Sequence, residues 1–139
     1  MDTEKIRLYF EQDLYAQRSG IDLLELREGY AKAAMKVEPY HLNAVGTVQG
    51  GAIFTLADLA FAAACNSHGT VAVAINVNIS FVKAATRGTL VAEAKEVSRN
   101  PKLGSYTIHV TDDAGEIVAV FQGLAYRKKD SLDLGNVES

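Results

Sequence analysis

A single carboxylate, Asp58, lies inside the most apolar stretch of this 139-residue chain. Residues 50–67 are otherwise rich in alanine, leucine, isoleucine and phenylalanine, and Asp58 is the only charged residue among them. A segment that is apolar on nearly every side predicts a buried helix, here about 27 Å long. Because an unpaired buried carboxylate is costly, Asp58 is the first candidate for a chemical role.

Two glycines, Gly50 and Gly51, begin this predicted helix. The first turn of a helix has unpaired backbone N–H groups and carries partial positive charge, and glycine leaves those donors unshielded. A carbonyl oxygen placed there would be polarised, and a developing oxyanion would be stabilised. The alternative is that the pair only permits a tight turn into a packed helix, and the two glycines alone do not exclude it.

Small and polar side chains recur along one face of the predicted helix, at Gly51, Thr55, Asp58, Ala62 and Cys65. Helical periodicity places them in one stripe, which could line a channel with N–H donors at one end and a carboxylate part-way along. Asp58 could then attack a carbonyl carbon or activate water. It could equally be paired with a buried arginine or with backbone groups, and chemistry alone leaves both open. Cys65, the only cysteine, is expected to be a small core residue.

Four amide side chains join Asp58 as candidates. Asn43 and Gln49 flank the start of the helix, where a neutral amide can position a water molecule or hold a carbonyl group. These two are candidate catalytic residues, although such residues more commonly cap loops. Asn76 and Asn78 alternate with apolar residues further along the chain, and with Thr55 they are candidate substrate-binding residues.

Residues for other common kinds of site are missing. His41, His68 and His109 do not have the spacing of metal ligands, so no metal is predicted. No serine or cysteine lies in a nucleophile motif, and Gly50-Gly51 does not match a dinucleotide or phosphate loop, so no cofactor is predicted. The basic residues late in the chain could meet phosphates or could simply form a solvated face.

The elements that must position these residues follow from hydrophobic periodicity. The pattern predicts an amphipathic helix over residues 3–18, strands over 21–26 and 30–37, the apolar helix, and strands over 71–82, 88–97, 105–111 and 116–126. Strands that follow a helix in this way imply an α+β fold with an antiparallel sheet. A strongly curved sheet wrapped around the long central helix would bury that helix on all sides.

Length and composition indicate one domain, residues 1–127, followed by a loose polar tail at residues 128–139. The net charge of −3 argues against a nucleic-acid partner. The charged N-terminus does not look like a signal peptide. The apolar helix contains Asp58 and is surrounded by strands, which favours a core helix over a membrane span. We therefore expect a cytoplasmic protein with no membrane or nucleic-acid partner.

A longer motif extends across the predicted active region. Residues 42–69 read LNAVGTVQGGAIFTLADLAFAAACNSHG and resemble the pattern LNxxGxxxGGxxFxLADxAFAxAxNSxG of the PaaI-type thioesterases in the hot-dog superfamily. The resemblance extends from Phe10 to Arg127, with weaker support from NISF at residues 78–81 and DDAG at residues 112–115. It implies the hot-dog fold, in which a curved antiparallel sheet wraps a long central helix, and hydrolysis of acyl-CoA thioesters without a cofactor.

The resemblance also implies roles and an assembly. The N–H of Gly50, with Gly51 beside it, would polarise the thioester carbonyl, and Asp58 would be the nucleophile or general base. Subunits of such enzymes pair so that two sheets join, and the dimers commonly pair again as homotetramers. Their active sites lie between subunits.

Three further positions complete the comparison with that family. Asn43 matches an asparagine ahead of the helix, and Gln12 matches an asparagine in the N-terminal helix of the phenylacetate-pathway members, which makes it a candidate substrate-binding residue. Gln49 departs from the pattern, because the family usually has histidine there, and glutamine can donate a hydrogen bond but cannot become charged. This departure keeps open a second hypothesis, a non-catalytic module that binds acyl-CoA or an acyl carrier. The acyl group itself is expected to be aryl-acetyl or medium-chain.

Overall fold

One long helix packs against a single antiparallel sheet, as the α+β prediction requires. A computed structural model describes residues 2–135. The elements are α1 (Thr3–Phe10), α2 (Leu14–Arg18), β1 (Ile21–Arg27), β2 (Tyr30–Lys36), a 3₁₀ turn (Pro39–His41), α3 (Gly50–Asn66), β3 (Thr70–Phe81), β4 (Thr89–Arg99), β5 (Leu103–Thr111) and β6 (Ile117–Ser131). The strand order is β1-β2-β4-β5-β6-β3, so β1 and β3 are the edge strands.

Alternate residues of the strands face α3 and form the core. Phe61 of α3 packs between Tyr106 of β5 and Phe121 of β6, with ring centroids 5.8 and 5.7 Å away. Gly123 lies directly under the Phe61 ring, and a Cβ atom there would come within 2.6 Å of it. The glycine therefore lets the helix approach β6 closely, and its neighbours Gln122 and Leu124 must point to the opposite face of the sheet.

The C-terminal end of α3 is anchored by buried polar side chains. Asn66 donates to the carbonyls of Ala62 and Ala72 and accepts from the Ala72 N–H. Ser67 donates to the Ala64 carbonyl and accepts from the Gly29 N–H. Because these groups are buried and paired, they attach the end of α3 to the sheet.

The N-terminal segment differs from the prediction of one helix over residues 3–18. The structure has two helices, α1 and α2, and the chain turns between them. The Asp13 carboxylate accepts from the Ala16 N–H at 3.1 Å and thereby caps a new helix. The apolar periodicity continues through this break, which is why periodicity alone did not reveal it.

The end of the domain also differs from the prediction. β6 continues to Ser131, which pairs with Thr70 of β3, and the Leu132 N–H donates to the Gly69 carbonyl. Residues 128–131, which were predicted to belong to a loose tail, therefore lie in β6, because their polar side chains are compatible with an exposed strand. Residues 136–139 of the predicted tail lie outside the described residues.

The prediction that the sheet buries α3 on all sides is wrong. The sheet covers the face with Leu56, Ala60 and Ala64, which are fully buried. The opposite face is left partly open to solvent along a line of small and polar residues, Gly51, Thr55, Asp58 and Ala62. We call these four residues the open stripe. Residues 2–135 do not cover it completely.

Candidate active site

Two free backbone donors lie at the N-terminus of α3. The Ala52 and Ile53 N–H groups both donate to the Gln49 carbonyl, at 2.9 and 3.2 Å. Within residues 2–135 the N–H groups of Gly50 and Gly51 have no hydrogen-bond acceptor, as expected for the first positions of a helix. Together with the positive end of the helix dipole, they can accept an anionic or carbonyl oxygen from outside.

The Phe81 ring leaves little space for a side chain at position 50. A Cβ atom at Gly50 would lie 3.2 Å from the ring of Phe81, whereas a Cβ atom at Gly51 would have space, with Gln49 Cγ 3.9 Å away. Gln49 precedes them in an extended conformation, with φ −56° and ψ 132°, and its side chain does not cap the helix. The Gln49 side chain is exposed and free to meet a ligand.

Asp58 is half-buried on the open stripe, and it is unpaired. Within residues 2–135 its carboxylate makes no hydrogen bond and no ion pair, so the structural alternative of a buried arginine partner is not realised in the described chain. Burial raises the pKa of Asp58, and the negative charge of Asp13 raises it further. A carboxylate with a raised pKa is a stronger base once it is ionised.

The donors and the carboxylate are far apart in one protomer. Gly50 and Asp58 are eight residues apart on one helix, which separates them by about 12 Å along its axis. A reacting carbonyl group needs its donors and its base each within about 3 Å. A single chain therefore cannot bring both to one carbonyl.

Two other residues of the predicted stripe, Thr55 and Cys65, have different surroundings. The Thr55 hydroxyl donates to the Gly51 carbonyl at 2.8 Å and keeps its lone pairs available. Cys65 does not lie on the open stripe: it is 4% exposed, and burial raises the pKa of its thiol to about 12. It is a core residue, as its apolar surroundings predicted.

Asn43 organises the loop before α3. Its side-chain oxygen accepts from the N–H groups of Val45 and Thr47, and its side-chain nitrogen donates to the Thr47 hydroxyl. These bonds close a tight loop that leads to Gln49. In one protomer the Asn43 amide is thus engaged with its own loop, which is the capping role that its residue type commonly has.

Gln12 lies at the junction of α1 and α2, exposed beside Tyr9 and Asp13. Asp13 is close enough to α3 for its charge to act on Asp58. Sequence reasoning missed Asp13, although an aspartate followed by an apolar run is a helix-capping signal that could have indicated the break.

Asn76 and Asn78 lie on the other side of the sheet from α3. They pair with Leu124 and Gln122 of β6, whose side chains point away from the helix because Gly123 faces Phe61. Both asparagines line a shallow depression on that outer face. The structure therefore does not bring them together with Asp58 in one protomer.

A cavity with both apolar and polar walls lies between α1, α2, β1 and α3. Its volume is about 340 Å³. Apolar and polar side chains both line it: Phe10, Ile21, Leu23 and Leu59 among the apolar ones, and Glu11, Asp13, Gln17 and Asp22 among the polar ones. Leu59 follows Asp58 directly in α3, so a group held near the carboxylate could extend into this space.

Residues 2–135 contain no group of three or more histidine, cysteine or carboxylate side chains arranged to hold a metal ion. Over the same range, no helix is long and apolar enough to cross a membrane.

Comparisons with known proteins agree on one family. The model of the thioesterase superfamily matches residues 45–119. A putative esterase of Archaeoglobus fulgidus is 45% identical over 93% of this chain and 85% of its own length. The acyl-coenzyme A thioesterase PaaI of Escherichia coli is 38% identical over 85% of each chain. The solved structure of E. coli PaaI superimposes with a TM-score of 0.88 at 34% identity, covering 94% of this chain and 99% of that one.

Proposed function

The chain belongs to the thioesterase superfamily and is a PaaI-type thioesterase with the hot-dog fold. We propose that it hydrolyses acyl-CoA thioesters in a site that two subunits share. Thioester and water give a carboxylic acid and free CoA. E. coli PaaI and this chain are similar over most of their lengths, which supports the substrate class. No cofactor is required, because backbone donors and one carboxylate can supply the chemistry.

One observation carries the proposal: the free N–H donors of Gly50 and Gly51 and the unpaired carboxylate of Asp58 lie on the same helix, with Gly50 and Asp58 about 12 Å apart along its axis. If two copies of α3 pack antiparallel across a two-fold axis, the donors of one helix come close to the carboxylate of the other. With the axis near Phe54 and Thr55, Gly50 of one subunit lies opposite Asp58 of the partner subunit. Each dimer then has two identical sites. The small residues of the open stripe allow the two helices to approach closely.

The sheet favours the same pairing. β3 is an edge strand, and it exposes Val73 and Ile75 by 40% and 54%. An unprotected apolar edge is a place where a second strand adds. Joining β3 to β3 of a second copy would give a continuous sheet of twelve strands, with both α3 helices side by side on one face. Pairing of two such dimers into a homotetramer is part of the proposal and is tested by the mass of the protein in solution.

The chemistry follows from this arrangement. The thioester oxygen accepts hydrogen bonds from the Gly50 and Gly51 N–H groups, which stabilise the negative charge that develops on it. Asp58 of the partner subunit then acts in one of two ways. It attacks the carbonyl carbon, the thiolate leaves, and water hydrolyses the anhydride, or it takes a proton from a water molecule that attacks directly and the proton passes to the leaving thiolate.

The remaining candidates have supporting roles in the proposal. Gln49 donates a side-chain hydrogen bond to the carbonyl oxygen or to water, and Asn43 shapes the loop that holds Gln49. Thr55 and Gln12 contact the substrate from the centre of the stripe and from the α1–α2 junction. Asn76 and Asn78 face away from their own α3, so they could reach only a substrate that is held by another copy.

The acyl group is proposed to enter the cavity that Leu59 lines and to lie against its apolar walls. Phe10, Leu23 and Leu59 provide apolar walls, and the volume of about 340 Å³ is sufficient for an aryl-acetyl or medium-chain group. Apolar burial supplies the binding free energy of such groups, at about 25 cal/mol per Å² of apolar surface.

The experiment that tests this function follows free-thiol release from a panel of acyl-CoAs that includes phenylacetyl, octanoyl and acetyl esters. We expect release from the aryl-acetyl or medium-chain members, unchanged after dialysis against a chelator. Calorimetry with the same panel measures binding. Binding without release from any member would contradict hydrolysis and would favour the acyl-CoA binding module, for which the departure at Gln49 is the supporting feature.

A change at Asp13 tests the electrostatics of the site. Asp13→Asn keeps a side chain that caps α2 and removes the charge that raises the pKa of Asp58. The pKa of Asp58 should fall, so the acid limb of the pH profile of kcat/KM should move to lower pH. Profiles of wild type and variant in the same buffers check this. A limb that stays in place or moves to higher pH would contradict the electrostatic coupling.

A further inference from the structure

His41 is a buried histidine with both ring nitrogens engaged. It is 3% exposed. Its Nδ1 accepts from the Glu38 N–H at 2.9 Å, and its Nε2 lies 2.6 Å from the carbonyl oxygen of Ser19. Nδ1 must therefore be unprotonated, and Nε2 must carry the proton that it donates to Ser19. A neutral imidazole in one tautomer joins the segment before α3 to the end of α2.

The backbone of His41 holds the residue that precedes the free donors. Its carbonyl accepts from the Gln49 N–H at 2.7 Å. Between these two residues the chain forms a closed loop, with Leu42 bridged to Val48. Gln49 is thus fixed by His41 across the base of the loop, and no side-chain cap of its own helps to hold it.

The peptide unit between Gln49 and Gly50 sets the direction of the Gly50 N–H. On the helix side, the Gln49 carbonyl accepts from the Ala52 N–H at 2.9 Å. On the loop side, the Gln49 N–H is held by His41. A shift of His41 would therefore rotate or displace the donor that the thioester oxygen meets.

The turn after α2 packs directly on the same histidine. Gly20 adopts φ +71°, and a Cβ atom there would lie 2.7 Å from the hydroxyl of Tyr40, whose ring centroid is 4.3 Å from that of His41. This turn follows α2, which begins next to Asp13. One side chain thus connects the helix pair near Asp58 to the loop that ends at Gly50.

We propose that His41 is a positioning residue of the active site, which fixes the Gly50 N–H by tying the loop before α3 to the turn after α2. This inference rests on the proposed role of Gly50 in hydrolysis. His41 touches neither substrate nor reacting atoms. Its contribution is the geometry of the donors, and small displacements of such groups are costly to the rate.

The test compares His41→Leu, which removes both ring contacts, with His41→Gln, whose amide can still donate to the Ser19 carbonyl. We expect His41→Leu to lower kcat about ten- to a hundredfold, with KM changed about twofold at most, because the donors act mainly on the transition state. His41→Gln should recover most of that loss. Rates are measured well below the unfolding temperature of each variant.

The matched control is His68→Gln. His68 is also largely buried, and its Nε2 bonds to Glu96 at 2.8 Å near the far end of α3. We expect it to lower thermal stability and leave kcat and KM unchanged. Wild-type kcat in folded His41→Leu, or equal losses in the Leu and Gln variants, would overturn the proposal.

Amide hydrogen exchange separates this inference from the function on which it rests. The Gln49 N–H should exchange faster in His41→Leu than in wild type and should be unaffected by His68→Gln. If wild type releases no thiol from any acyl-CoA, the proposed function fails. If the Gln49 N–H exchanges at the same rate in His41→Leu as in wild type, the positioning role of His41 is refuted, whether or not the protein hydrolyses acyl-CoA.

Discussion

Asp58→Asn is expected to lower kcat for acyl-CoA hydrolysis by about a hundredfold or more, the usual scale for loss of a general base. Asparagine fills the same volume on the open stripe and can neither attack a carbonyl nor accept a proton from water. KM should change little, because the substrate is held by the cavity and the backbone donors. Thiol release under saturating substrate measures the effect.

Stability gives this variant an internal control. Burial raises the pKa of Asp58 in the folded protein, so the stability that its protonated form contributes is present in acid and is lost as pH rises through the folded-state pKa. A neutral asparagine avoids that loss. Asp58→Asn should therefore unfold at higher denaturant concentration than wild type at pH 7, and the difference should vanish in acid. A variant that is less stable and still active would mean that Asp58 is structural.

Gly50→Pro is expected to lower kcat by about a hundred- to a thousandfold, the cost of one lost oxyanion donor. Proline removes the free N–H, and the backbone already suits it. Gly50 is the first helical residue, where proline is tolerated, and Gln49 has ψ 132°, which is the conformation that a following proline requires.

Gly50→Ala is the matched control for Gly50→Pro. Both variants bring a Cβ atom to 3.2 Å from the Phe81 ring, which is half-exposed and can move. Only proline removes the donor. We expect the alanine variant to keep most of its activity. Equal losses in both variants would show that space beside Phe81 matters and that the Gly50 N–H does not.

The part of the fold that the sequence predicted best is α3 and its surroundings. Gly50, Gly51 and Asp58 are unusual residues for an apolar helix, and their spacing follows from helical periodicity alone. The end of the helix near Asn66 was also predicted to within a residue. The α+β class followed because strands with alternating polarity surround it.

What the sequence did not predict depends on tertiary pairing. The alternation in β3 separated Asn76 and Asn78 from Val77 and Ile79, but an edge strand has exposed residues on both faces, so alternation does not indicate which face meets the helix. The open stripe was predicted as buried for a similar reason. An apolar helix can be covered by its own sheet or by another copy, and the pattern is the same in both cases.

His41 was named only as a candidate metal ligand and rejected. Its contacts with Ser19 and Glu38 join segments that are adjacent only in the fold. Nothing in the residue pattern distinguishes such a histidine from an ordinary core residue.

The central claim is that each active site combines the Gly50 donor of one subunit with Asp58 of the partner subunit. The most direct test is to co-express Asp58→Asn and Gly50→Pro chains with different affinity tags and to purify the mixed dimer. One of its two sites would then carry both intact groups, so we expect about half of the wild-type rate per dimer, whereas each parent dimer is nearly inactive. A mixed dimer as inactive as its parents would contradict the shared site, because it would mean that the donor and the carboxylate act within one chain.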